Sequence, residues 1–363
     1  MQFVDLQKQY QCYQKDIDAR IQRVLKESQY ILGPEIVELE NCLMQYTGTK
    51  HALSVSSGTD ALLMILMALG IGPGDEIITS PFTFIATAEV IQLLGAKTVF
   101  VDIDPVSYNI DPQKIEACLS PKTKAIVPVS LFGQCADFSA INALARKHSI
   151  PVIEDACQSF GATQNGKKSC ALSEFSCTSF FPSKPFGCYG DGGMIFTENS
   201  TLAEKMKHIR IHGQDRRYHH ACLGINGRLD TIQAAILLAK FPHFENEVRL
   251  RQEAGIYYSK NLSAIPGIIL PQTMQGNTHM YAQFSIQVKN RDALAAKLNS
   301  EGIPTAIHYP IPLHLQPVFT HLHQKEGSFP IAEAVAKNIL SLPMHAFITR
   351  EEQDQVITSI RQF

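Results

Sequence analysis

What the sequence lacks narrows its function before any motif is considered. It has little charge and no excess of either sign: 32 Lys and Arg against 34 Asp and Glu in 363 residues, a net of −2. That balance offers no electrostatic footprint for a nucleic-acid backbone, so no nucleic-acid partner is expected. No long apolar run is present either. The longest, Ala61 to Gly72 (ALLMILMALGIG), falls short of the roughly 18–20 residues needed to span a membrane, and no membrane association is expected. The opening MQFVDLQKQYQCYQKDID is polar and has no h-region of a signal peptide. The nine cysteines form no CxxC pair, which argues for reduced thiols rather than a disulfide framework or a zinc site. These absences together predict a cytoplasmic location. Internal repeats and low-complexity segments are missing as well.

What remains is a chain that can bury a large core. Hydrophobic residues make up 45% of it, which excludes intrinsic disorder. Its length predicts about two domains at ~150 residues each. Apolar, β-rich runs are expected as strands at 51–55, 76–79, 98–102, 125–130, 151–154, 177–181 and 193–197. Segments of helical length fall between the earlier ones, at 59–69, 84–94, 112–119 and 138–148. This alternation predicts a parallel sheet covered on both faces. The short spacing between Cys177 and Thr197 leaves no room for a helix, so an antiparallel pair is expected there. From Leu202 to Leu262 the texture is helical. The Pro/Gly-rich stretch Ala264–Gly276 then suggests a boundary before a smaller α+β part. In that part, strands are expected at 282–288 and near 305–309, and helices at 291–301, 331–340 and 350–360.

Three near-motifs are set aside. Gly161-ATQN-Gly166-Lys167 resembles the start of a P-loop, but Lys168 stands at the Ser/Thr position and Asn165-Gly166 signals a hairpin. Gly70-Ile-Gly72-Pro-Gly74 follows a helix and lacks the third glycine of a dinucleotide fingerprint, which disfavours a nicotinamide dehydrogenase. His212, His219, His220, His321 and His323 show no metal-ligand spacing, and no metal site is expected.

The residues left stand at strand ends, where open α/β sheets bind ligands. Ser56-Ser57-Gly58-Thr59 follows a strand and opens a helix. It is either an anion site or a simple N-cap. Asp155 is delivered from the buried run Pro151-Val-Ile-Glu154 to the mouth of the sheet. Lys184 lies between Pro182 and Pro185 beyond another buried strand, as a desolvated nucleophilic amine would. Phe82 and Phe84 could supply a flat aromatic face. A phosphate site, a buried acid and a reactive lysine together suit pyridoxal 5'-phosphate, which needs a lysine for its Schiff base and an acid at its ring nitrogen.

The segments SSGTDALLMILMALGIGPGDEIITSPFTFIATAEVI, VPVSLFGQCAD, PVIEDACQSFGA, TSFFPSKPFGCYGDGGMIFT and GINGRLDTIQAAIL closely resemble the DegT/DnrJ/EryC1/StrS family of nucleotide-sugar aminotransferases. The resemblance covers essentially the whole chain. It implies the aspartate-aminotransferase-like fold type I: a large domain over residues 1–245, with N-terminal helices and a mostly parallel seven-stranded sheet, and a small α+β domain over 246–363. It further implies that Lys184 carries the cofactor, Asp155 meets the pyridine nitrogen and Gln158 lies beside the phenolic oxygen. Gly58, Thr59 and Ser179 would form the phosphate cup, and Phe84 would stack on the ring. Asn226 would reach the phosphate from the neighbouring subunit of a homodimer. Arg228, His308 and Tyr309 are the candidates for substrate carboxylates. Some family members replace the lysine by histidine and dehydrate instead, and the presence of Lys184 favours transamination. IRIHGQDRRYHH and IHYPIPLHLQPVF resemble members acting on a UDP-linked 2-acetamido-2-deoxy-3-oxo-glucuronate with L-glutamate as donor. That resemblance implies a place in O-antigen and lipopolysaccharide precursor synthesis. Other UDP- or dTDP-keto-sugars remain alternatives, as does a non-catalytic regulator of the same fold, although no basic DNA-binding segment is attached.

Overall fold

The apolar runs condense into seven strands in the computed structural model, which describes residues 1–363. They are β1 (His51–Val55), β2 (Glu76–Thr79), β3 (Lys97–Phe100), β4 (Thr123–Ile126), β5 (Ile153–Asp155), β6 (Phe175–Ser179) and β7 (Gly193–Thr197). Ladders join them in the order β3-β2-β4-β5-β6-β7-β1, with isolated parallel bridges Ile126–Val152 and Val129–Asp155 linking β4 to β5. Only β7 runs against the others, pairing antiparallel with both β6 and β1. The antiparallel pair expected between Cys177 and Thr197 is therefore present. Both faces are covered, which explains the nearly unbroken burial of these strands. One face packs α2 (Pro34–Thr47) and α5 (Phe138–Lys147) through Leu39, Leu43, Phe138 and Ile141. The other packs α3 (Gly58–Leu69), α4 (Ala86–Leu93) and α6 (Ser200–Ile209) through Leu62, Ile65, Val90 and Met206. The segment expected as a helix over 112–119 is one short turn, Pro112–Ile115, continued as a 3₁₀ turn over Glu116–Cys118.

Local chemistry sets the element ends. Asp5 caps α1 (Leu6–Glu27) by accepting from the Lys8 amide at 2.8 Å. Asn165 and Gly166 take positive φ angles of 50° and 77° and turn the hairpin Thr163–Gln164/Lys167–Lys168, so the P-loop-like string is a turn.

Beyond β7 the structure departs from the uniform helical texture. After α6 the chain forms an exposed antiparallel hairpin, Gln214–Arg216 against His219–His220, before the 32-residue α7 (Thr231–Leu262) begins. The string QDRRYHH has no apolar alternation to signal strands. Residues 245 and 246 lie inside α7, and the Pro/Gly-rich stretch follows its end.

The remaining chain builds a second sheet from β8 (Ile268–Ile269), β9 (Phe284–Val288) and β10 (Ile339–Leu342), all antiparallel. Helices α8 (Arg291–Ser300) and α10 (Arg350–Arg361) pack on it through Leu294, Leu298, Val356 and Ile360, together with Tyr258 and Leu262 of α7. Two expectations are corrected here. The strand near Thr305–Tyr309 is reduced to a single bridge, Ala306–Ser341, because Pro304, Pro310 and Pro312 supply no N–H for a ladder. The helix expected over 331–340 ends at Asn338 as α9 (Pro330–Asn338), and its last residues become β10.

Candidate functional site

A cavity of about 480 Å³ opens at the C-terminal ends of β1, β2, β5 and β6. It is lined by nine of the residues singled out from the sequence: Gly58, Thr59, Phe84, Asp155, Gln158, Ser179, Lys184, His308 and Tyr309.

One end is built for an anion. Gly58 and Thr59 are the first residues of α3, so their N–H groups have no partner within the helix. The hydroxyls of Ser56 and Ser57 both donate to Asp60, at 2.5 and 3.0 Å, and Ser57 accepts from the Asp60 amide. Ser57 is thus the N-cap, and the amides of Gly58 and Thr59 behind it are left as donors that an anion could use. A Cβ at Gly58 would lie 2.8 Å from Cys157 Sγ and 2.9 Å from Ser179 Cβ, so only glycine lets α3 approach the end of β6.

The floor carries a buried negative charge. Asp155 is 4% exposed; it accepts from the Thr87 hydroxyl at 2.7 Å and the Cys157 amide at 3.1 Å. Both donors are neutral, leaving the carboxylate free to pair with a cationic group entering the cavity. On the wall, Gln158 accepts from the Phe132 amide (2.8 Å) and donates to the Tyr309 hydroxyl (3.1 Å), which fixes its amide. Burial raises the Tyr309 hydroxyl above its ordinary pKa and keeps it neutral. The Phe84 ring is 55% exposed at the mouth, 6.3 Å from the Tyr309 ring. His308 lies within hydrogen-bond distance of Ser341 Oγ (2.9 Å). Burial first, and the Lys184 charge second, lower the His308 pKa to about 4, so it is neutral at pH 7 and offers hydrogen bonding rather than charge.

Asn226 and Arg228 stand apart from the cavity within one chain. Asn226 is exposed and bridges to Ile211, and the buried Nε of Arg228 has no partner. The sequence reading missed Thr87, which holds Asp155; its signal was a position in the first turn of α4, three residues after Phe84. Gln283 and Asp191 also line the cavity, and nothing local in the sequence marks them. Asp155, Cys157 and Cys177 bring three potential ligand atoms within 4.8 Å of one another, but burial holds the Cys177 thiol well above its usual pKa and therefore protonated. The histidines serve elsewhere: His219 pairs with Asp215, and His321 lies against Gln92.

An anion cup, a buried acid with only neutral partners, an aromatic face and a lysine at one cavity match the needs of pyridoxal phosphate. Comparison with known proteins agrees with that fit. The DegT/DnrJ/EryC1/StrS aminotransferase family model matches residues 11–361. A UDP-2-acetamido-2-deoxy-3-oxo-D-glucuronate aminotransferase of Pseudomonas aeruginosa is 54% identical over 348 residues, 96% of each chain. A protein of Geobacillus stearothermophilus named pleiotropic regulatory protein is 46% identical, over 99% of this chain and 97% of its own. The crystal structure of NtdA from Bacillus subtilis with bound cofactor PMP matches at a TM-score of 0.90 and 32% identity, covering 96% of this chain and 81% of that one. No helix is long and apolar enough to cross a membrane. By sequence, fold and the chemistry gathered in its cavity, the chain belongs to the DegT/DnrJ/EryC1/StrS family of pyridoxal-phosphate-dependent aminotransferases.

Proposed function

We propose that this aminotransferase moves an amino group from L-glutamate to UDP-2-acetamido-2-deoxy-3-oxo-glucuronate, giving the 3-amino sugar, and that it does so as a homodimer with shared active sites. The observation that carries the reading is the meeting of Lys184, Asp155, Gln158 and the Gly58–Ser179 cradle in one cavity. The choice of sugar rests on the 54% identity to the Pseudomonas enzyme.

When bound, pyridoxal phosphate supplies the electron sink for the pair released at an amino acid's Cα. The amides of Gly58 and Thr59, with Ser179, would hold the phosphate, and Asn226 would reach it from the other subunit. Asp155 would keep a proton on the ring nitrogen, Gln158 would stand by the phenolic oxygen, and Phe84 would cover the ring. Lys184 would hold the group covalently until glutamate displaces it. Its freed amine would then take the proton from the donor's Cα and deliver it across the cavity. In the second half-reaction the same amine would work in reverse on the sugar carbon. Carboxylates of donor and sugar call for a guanidinium fork, which Arg228 would supply from the other subunit, as for Asn226, with His308 and Tyr309 of the cavity as neutral partners.

The test is incubation of the purified protein with glutamate and a panel of UDP- and dTDP-keto-sugars, with products read by mass. The expected result is a 3-amino uronate formed in step with 2-oxoglutarate. Amination of only a dTDP sugar would remove the proposed substrate. The Geobacillus relative's name favours a second reading, a regulator that binds cofactor without turnover. That reading predicts cofactor on the protein and every sugar recovered unchanged.

A further inference from the structure

Lys240 takes no part in the chemistry above, yet it is among the most buried charged residues of the fold. It lies on α7, is 2% exposed, and donates a hydrogen bond to the carbonyl oxygen of Gly187. Its ammonium also sits 5.5 Å from the centre of the Tyr189 ring. Burying an ammonium is expensive unless its head is matched by acceptors and opposite charge. Here burial is the larger influence and lowers its pKa to about 8, against the opposing pull of Glu247, so the head is still charged at neutral pH.

The acceptor it has taken is the end of the turn that carries Lys184. Within that turn the Lys184 amide donates to Phe181 O at 2.8 Å, and the Cys188 amide donates to Phe180 O at 2.7 Å. A Cβ at Gly187 would fall 2.5 Å from Phe181 O and 2.6 Å from Pro182 O, so the turn is closed tightly on itself. It is fastened to α7 at two points: Lys240 holds Gly187, and Gln233 Oε1 accepts from the Tyr189 amide at 2.9 Å. Lys184 itself also borders a small void on the α7 side, beside Gln9, Glu247 and Arg251.

We propose that Lys240 is a positioning residue for Lys184: by holding the Gly187 carbonyl it fixes the Phe181–Gly187 turn so that the Lys184 amine is presented to the cavity. The proposal rests on the reading of Lys184 as the cofactor lysine. It assigns a function to a charge that would otherwise only burden the fold.

The test uses the full-length protein freed of cofactor and mixed with pyridoxal phosphate. Lys184 Nζ attacks the aldehyde carbon, a C=N bond forms and water leaves. Borohydride then adds hydride to that carbon, solvent supplies the proton to nitrogen, and peptide mapping locates the adduct. In the unsubstituted protein, an adduct on another lysine would overturn the reading of Lys184 and with it this proposal. With the adduct on Lys184, the variants test Lys240 alone. Lys240→Met keeps the stem and removes the donor. It should slow adduct formation and lower kcat by about tenfold to a hundredfold, as expected for a misplaced reacting group. KM for glutamate and sugar should stay within about twofold, because uniform binding is untouched. Lys240→Arg, which keeps charge and donors, should recover a large part of the adduct rate. If Lys240→Met does not fold, Lys240→Gln carries the same comparison, since its polar head falls short of Gly187. A Lys184 adduct formed at the unsubstituted rate in a folded variant overturns the proposal, whatever the change in Tm. Failure of both variants to fold also overturns it, since Lys240 then serves folding alone.

Discussion

The cavity and the segment Gly224–Asp230, which stands apart from it within one chain, are built on different principles. In the cavity, three polar side chains are held by their own chain: Asp155 by Thr87 and the Cys157 amide, Gln158 by Phe132 and Tyr309, Ser57 by Asp60. The segment Gly224–Asp230 is the opposite. It carries Asn226 out to solvent and leaves the Arg228 Nε buried without a partner. A satisfied network is preorganised by one chain. An unsatisfied one is where another molecule is expected to complete the structure.

The largest effect is expected on the self-contained side. Asp155→Asn keeps shape and the Thr87 contact but removes the buried charge, and kcat should fall on the order of a hundredfold or more while cofactor still binds. Near-normal turnover measured on cofactor-loaded enzyme would deny Asp155 its electrostatic part. The next effect probes the incomplete side. Lys184→Ala and Asn226→Ala chains, each inactive alone, should regain activity when mixed and allowed to exchange. About a quarter of the sites would be whole, one of the two in each hybrid dimer. Exchange shown by mass without recovery of activity would return Asn226 to its own chain.

A smaller change should follow from Arg228→Lys. Leaving one member of a desolvated charge pair alone costs roughly 2–5 kcal/mol, so a carboxylate site should favour the uronate over its 6-hydroxyl analogue by about 30-fold or more. Lysine, a point charge, should erode that ratio of kcat/KM by about tenfold. Equal ratios in the two proteins would take Arg228 out of sugar recognition.

The smallest effect concerns what braces the satisfied region. The Phe132 amide that orients Gln158 belongs to a turn packed against the 279–283 segment, where the Met280 amide donates to Gly133 O. His279 is buried there, stacked on Tyr281 with ring centres 4.1 Å apart, and its Nδ1 accepts from the Tyr281 amide. Burial lowers its pKa to about 3, against about 6.5 in the unfolded chain. The folded state therefore binds fewer protons than the unfolded state between those values. Its contribution is complete above pH 6.5 and declines as the medium is acidified, by about 2 kcal/mol at pH 5. His279→Asn keeps an acceptor and cannot titrate, so its Tm should fall less between pH 7 and pH 5. Parallel Tm curves for the two proteins would place the acid sensitivity elsewhere.

How far each region was legible follows from the same contrast. Asp155 and Lys184 could be read because strand, residue and strand end are neighbours in sequence. The Asn165-Gly166 turn was equally local. Gln283 gave no sign, because it adjoins the second sheet and meets the cavity only once the two sheets pack together, and Asp191 gave none because it stands in the irregular loop between β6 and β7. The Thr305–Tyr309 stretch looked like a strand by its apolar content, and its flanking prolines decided otherwise. The hairpin at Gln214–His220 was hidden because its residues face solvent and no alternation marks them.

Helix α7 has a consequence for how such a chain can vary. Residues one or two turns apart along it each grip a different part: Gln233 the Tyr189 amide, Lys240 the Gly187 carbonyl, Glu247 the Gln9 side chain, Arg251 the carbonyls of Tyr281 and Met344. At about 3.6 residues per turn, Lys240, Glu247 and Arg251 recur on one face, spread along about 16 Å of axis. A single inserted or deleted residue between them would swing every later grip by about 100° and sever the Lys184 turn from the second sheet. Length changes are therefore barred from α7 and free to accumulate in the exposed hairpin that precedes it, so the helix works as a ruler on which the rest of the molecule is spaced.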